Sequence, residues 1–155
     1  MRGAGTLISP PTCSADVPHL LAIVLVLTAA AAAAQVSDGS VAPLTDQPGD
    51  AVRGKEIVLD PARGNCLICH PIPIDAEFHG DVGPDLAGVG SRYEEGALRL
   101  RVVDARQLNP ASVMPAYHRT DGLHRVLKEY RGKPILTEQE VEDVVAYLMT
   151  LKADR

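Results

Sequence analysis

Apolar side chains fall along this chain in two patterns: one unbroken run near the start, and later stretches interrupted at helical spacing. The run, Leu20 to Ala34, reads LLAIVLVLTAAAAAA. It is 15 residues long, shorter than the roughly 20 residues a membrane-spanning helix needs. It ends in small side chains, with an A-x-A-like site before Gln35 that suits signal peptidase. Residues 1–34 are therefore read as a signal peptide, and the mature protein as exported and periplasmic, with no membrane attachment after cleavage. An uncleaved anchor is the alternative, because Arg2 is the only basic side chain ahead of the run.

After the run the pattern changes. Residues 35–49 are rich in Pro, Gly, Ser and Asp and predict a lead that is flexible or ordered only on a partner. Residues 50–152 then show helical signals. Asp50 stands as a cap before a short helix stopped by Pro61, and a second helix is predicted over 94–108, closed by Asn109-Pro110. A third, short one is predicted over 123–130, ended by Gly132 and Pro134. In the last stretch, 137–151, Val141, Val144, Val145, Leu148 and Met149 share one face, and Thr137 with Glu140 forms a capping box. No stretch reads as a strand and no repeat is visible. The expected fold is a small all-α domain.

Composition narrows the choice. A chain of 155 residues with 46% hydrophobic side chains accommodates one compact domain beside a processed segment. Aromatic residues are only 3% and Trp is absent, so such a core lacks its usual large fillers unless a cofactor occupies it. The formal net charge of −5, with no cluster of Lys and Arg, argues against nucleic acid and for protein partners.

The chemistry concentrates in Gly64-Asn65-Cys66-Leu67-Ile68-Cys69-His70. Cys13 precedes the apolar run and leaves with the signal peptide, so Cys66 and Cys69 are the cysteines of the mature chain. C-x-x-C-H is the pattern of c-type haem attachment. Its spacing brings two sulfurs to one side of a single turn, where each can form a thioether to one vinyl group of the same haem, and the next residue offers an imidazole to the iron. Two other readings compete. A structural zinc site needs two more ligands, with His79, His118 or His124 conscripted. A thioredoxin-like pair needs a strand–helix setting that Pro61 and Pro71 do not suggest.

An attached haem iron has a sixth position to fill. Met149 sits on the apolar face of the last helix and reads as core. Met114 lies in Asn109-Pro110-Ala111-Ser112-Val113-Met114-Pro115, whose two prolines exclude a continuous helix and stiffen the backbone. It is the favoured ligand, with His118 as its rival. A thioether ligand favours ferrous iron and raises the potential, which suits electron transfer.

In this order, a first helix, C-x-x-C-H, Gly83-Pro84-Asp85-Leu86, a Met loop and a terminal helix ending Val144-Val145-Ala146-Tyr147-Leu148, the domain resembles a class I cytochrome c built around one covalent haem c. That resemblance implies that the Pro84 carbonyl accepts a hydrogen bond from the His70 ring and that Leu86 packs near the haem. The strings GNCLICHPIP, LNPASVMPAY, GLHRV and YRGKPILTEQEVEDVVAYL are similar to the SoxX family, the monohaem subunits of SoxAX cytochromes of bacterial sulfur oxidation. The similarity implies a SoxA-like haem protein as heterodimeric partner and the carrier SoxYZ reached through the complex. It also implies passage of electrons from thiosulfate, joined to a SoxYZ cysteine, to a downstream acceptor. The chain would be the electron-accepting, non-catalytic subunit of that thiosulfotransferase. No nucleophile–base–orienter set is visible that would contradict this. The alternative is a freely diffusing periplasmic cytochrome c that feeds an oxidase or a reaction centre.

Overall fold

A computed structural model describes residues 39–153. The predicted signal peptide and the first residues of the lead lie outside them. Among the described residues there is no strand, and no helix is long and apolar enough to cross a membrane.

The two terminal helices make the frame. Helix α1 (Ala51–Leu59) starts where the Asp50 carboxylate accepts the amides of Val52 and Arg53, two donors that the helix itself leaves unpaired. It ends at Leu59, two residues before Pro61. Helix α4 (Glu138–Thr150) opens on the predicted capping box, with Thr137 and Glu140 each accepting from the other's backbone. The helices pack so closely that a Cβ on Gly54 would strike the carbonyl of Asp143. Ile57 and Val58 of α1 meet Val141, Val144, Val145 and Leu148 of α4 there, all buried in one cluster. Each such side chain contributes roughly 1.5–3 kcal/mol by leaving water.

Helix α2 (Val89–Arg92) is a single turn, and α3 (Glu95–Asp104) lays Leu98 and Val102 on the same cluster. The helix expected over 94–108 is thus shorter. Asp104, only 1% exposed, takes extended backbone angles, accepts the Arg106 amide and pairs with Arg119 at 2.6 Å. The chain leaves α3 at that residue and makes a separate tight turn, Ala105–Gln107. Over 123–130 the expected helix is replaced by one tight turn, Lys128–Tyr130. Gly122 and Arg125 both have left-handed backbone, at φ 63° and 60°, which interrupts any helical run. Leu127 stays 63% exposed, so this stretch has no buried face to repay helix formation.

The described part of the lead lies on its own domain. Val41 donates to the Gly96 carbonyl at 3.1 Å, and Leu44 donates to Glu142 at 2.9 Å. The organiser is Arg99, which meets Glu142 through two hydrogen bonds of 2.8 and 2.7 Å and the Val41 carbonyl through a third of 2.9 Å. The two side chains are 2% and 5% exposed. Stripping one partner from such a pair leaves a buried, uncompensated charge. Arg99→Met is therefore expected to destabilise the fold by about 3–5 kcal/mol in urea unfolding, and the double variant Arg99→Met/Glu142→Leu by markedly less. Equal losses would mean that packing, not charge, carries the cost.

Candidate haem site

A cavity of ≈ 990 Å³ opens between the attachment turn, the 82–86 loop, α3, the 108–115 loop and α4. Cys66, Cys69, His70, Pro84, Leu86 and Met114 all line it. Ligand pockets span about 300–1,000 Å³, so this one suits a large, flat, mostly apolar group.

One wall is the turn itself. Asn65 enters with left-handed backbone, φ 46°, and Cys66–Ile68 make one tight turn. The amides of Cys69 and His70 both return to the Cys66 carbonyl, at 3.1 and 2.9 Å. The cysteines are not joined to each other. Burial pushes the Cys66 thiol up to about 11.

The 80–86 loop is strapped onto this turn. Gly80 donates to Leu67, Gly83 to Cys69 and Leu86 to Pro71, at 2.9, 2.7 and 2.9 Å. These bonds bring the Pro84 carbonyl to 2.7 Å from His70 Nδ1. A carbonyl only accepts, so Nδ1 carries the proton and Nε2 keeps its lone pair. A metal would meet that lone pair on Nε2, with the ring's orientation held from behind. Leu86 is half-buried against the core.

Met114 lines the same cavity, half-buried and in contact with the core cluster. The alternatives are engaged elsewhere. Met149 packs on the core and does not line the cavity. His118 donates through Nδ1 to the Leu136 carbonyl at 2.8 Å and lies 3.7 Å from Glu138. His79 accepts the Ile72 amide at 3.3 Å, and His124 lines a separate cavity of ≈ 330 Å³. Among the described residues, no three His, Cys, Asp or Glu side chains converge as a zinc site would require.

The family model for cytochrome c matches residues 51–152. The chain belongs to the cytochrome c family. It is also similar to a chain in the crystal structure of SoxXA from P. pantotrophus, with 41% identity and a TM-score of 0.68, over 74% of this chain and 90% of that one. This makes it a SoxX-like electron-transfer cytochrome. Comparison with curated protein sequences finds no match.

A cytochrome c holds covalent haem c, and one C-x-x-C-H motif means one haem. The cavity suits it: two thiols, an imidazole with a free Nε2 and a thioether face one apolar space. Several residues of this cytochrome matter here although the sequence alone assigned them no role. Gly83 is one, because a Cβ there would overlap the His70 ring. Tyr117 is another: it is buried, it lines the cavity, and its hydroxyl donates to the Gly64 carbonyl at 2.7 Å. Burial raises its pKa and keeps the phenol a donor. Arg101, also on the cavity wall, stacks over the Tyr93 ring at 4.1 Å.

Proposed function

We propose that this cytochrome is the electron-accepting subunit of a SoxAX-type complex in the periplasm, partnered by a SoxA-like haem protein. The observation that carries the reading is the 41% identity to a SoxXA chain, sustained over 90% of that chain. In the proposed arrangement Cys66 and Cys69 hold the haem by thioethers. His70 Nε2 and the Met114 sulfur would be its iron ligands, the Pro84 carbonyl would fix the His70 ring, and Leu86 would form part of the apolar wall around it. The haem supplies a one-electron ferric–ferrous couple at a potential that a thioether ligand raises.

The protein's own contribution is to orient and to exclude water. The His70 hydrogen bond to Pro84 makes the imidazole a stronger donor, and the apolar walls of Leu86, Val89, Leu98 and Leu148 keep solvent from the cofactor. Joining a thiosulfate dianion to the carrier thiol of SoxYZ forms one S–S bond and releases one proton and two electrons. A one-electron couple held at this site would have to pass these on singly to a downstream acceptor. With both cysteines consumed by attachment, no free thiol remains in the mature chain to act as a nucleophile. Export is supported by the apolar run before Gln35 together with the attachment motif, since haem c is joined after translocation.

Purification of the full-length, haem-loaded protein from native periplasm, followed by mass analysis, tests this. A stable one-to-one complex with a second c-type cytochrome is the expected result. A monomer that reduces an oxidase or reaction centre directly would replace the reading with that of a diffusing carrier.

A further inference from the structure

The loop that bears Met114 is suspended between two points. Upstream, the amides of Leu108 and Asn109 return to the Ala105 carbonyl at 3.1 and 3.0 Å. From there to Ala116, every hydrogen bond among the described residues is local: Ser112 to Asn109, Ala111 to the Asn109 side chain, Met114 to the Ser112 hydroxyl. Val113 is 79% exposed. The first residue to grip the rest of the fold is Tyr117, and it does so with every polar group it has. Its amide donates to Val102 at 3.2 Å, its carbonyl accepts from Leu136 at 2.8 Å, and its hydroxyl donates to Gly64 at 2.7 Å. Gly64 is two residues before Cys66, and its amide is fixed to the Ile57 carbonyl of α1 at 3.1 Å.

We infer that Tyr117 is a positioning residue for the axial methionine, its hydroxyl tying the Met114 loop to the turn that carries Cys66 and His70. The inference rests on the reading of Met114 as the sixth ligand. A thioether is a weak donor to ferric iron, so its hold depends on how rarely the loop swings away. Opening of the loop is a local unfolding event, and its frequency is set by the few bonds that anchor the ends. Two residues separate Met114 from Tyr117, and one of them is Pro115, so little slack intervenes. The hydroxyl bond joins segments 53 residues apart, which no helix or local turn would replace. Removing it also strands the Gly64 carbonyl on a buried ring edge, so the closed state loses more than the open one.

Imidazole, which competes for the sixth position, is the probe. In the haem-loaded ferric protein, Tyr117→Phe keeps the ring and the packing and deletes only the hydroxyl. Its imidazole dissociation constant is expected to fall about tenfold, the weight of one hydrogen bond written as an equilibrium ratio. Val145→Ala serves as the control, because Val145 is fully buried but does not line the cavity. It should lower global stability and leave imidazole affinity unchanged. An unchanged constant in Tyr117→Phe, or an equal fall in Val145→Ala, overturns the inference. The ligand reading is scored separately: the wild-type protein should show a weak sulfur-to-iron charge-transfer band at the red end of the visible spectrum, and Met114→Ala should lack it. Absence of the band in the wild type would remove both. Hydrogen exchange on the wild type gives a second measure that needs no variant. The amides of Tyr117 and Leu136 should be protected far beyond those of Val113 and Met114, and equal protection would count against a loop hung from Tyr117.

Discussion

Cys66→Ser/Cys69→Ser is expected to leave almost no holoprotein. The wild-type chain, denatured and extracted with acid, should keep its haem and run at the mass of the mature polypeptide plus one haem. The double variant should lose the haem under the same treatment and accumulate poorly. The reason is the size of the cavity beside the size of the core. A single truncated core side chain costs about 2–5 kcal/mol through the space it leaves, and a whole domain has only about 5–15 kcal/mol in hand. A cavity of ≈ 990 Å³ between α3, α4 and the attachment turn exceeds by far what one side chain leaves. With no Trp and few aromatic residues, nothing in the chain can collapse to fill it. Haem that extracts freely from the wild type, or a double variant that retains covalent haem, would refute attachment at these two positions.

What the sequence made legible was whatever depends on near neighbours. The Asp50 cap and the Thr137–Glu140 box involve residues within three positions of each other, so local spacing suffices to find them. The C-x-x-C-H string is equally local, and the order of the later motifs was enough to gather Pro84, Leu86 and Met114, all of which line the cavity with it. What stayed hidden depends on distant partners. Arg99 and Glu142 lie 43 residues apart, and their burial is what lays the polar lead along the domain. A composition rich in Pro, Gly and Ser could not disclose that. The stretch 123–130 failed for the opposite reason. Its apolar residues are spaced for a helix, but a short helix forms only where a face is buried, and none is offered to Leu127. Tyr117 was in view within the Met-Pro-Ala-Tyr string, yet its partner Gly64 is found only when the chain is folded.

Gly83→Ala should cost the protein its native iron coordination, from the addition of a single methyl group. The ideal Cβ at that position falls on the imidazole of His70, overlapping Cε1 and lying 2.6 Å from Nδ1 and 2.7 Å from Nε2. Real Cβ atoms do not approach so closely, so either the ring or the loop must move. The ring is poorly placed to yield, since Nδ1 is bound to the Pro84 carbonyl at 2.7 Å and the residue follows Cys69 directly. The loop is no freer, because the Gly83 amide is bonded to the Cys69 carbonyl at 2.7 Å and the Leu86 amide to Pro71 at 2.9 Å. Either movement pulls the imidazole away from Pro84, weakens its donation and tilts Nε2 from its line to the iron. Thioether attachment, which uses the cysteines alone, is unaffected in kind. The variant should therefore still carry covalent haem by mass, but its ferric spectrum should shift from low-spin to a largely high-spin form. A wild-type low-spin spectrum in Gly83→Ala would show that the loop gives way at little cost and that the absence of a side chain at Gly83 is not what seats His70.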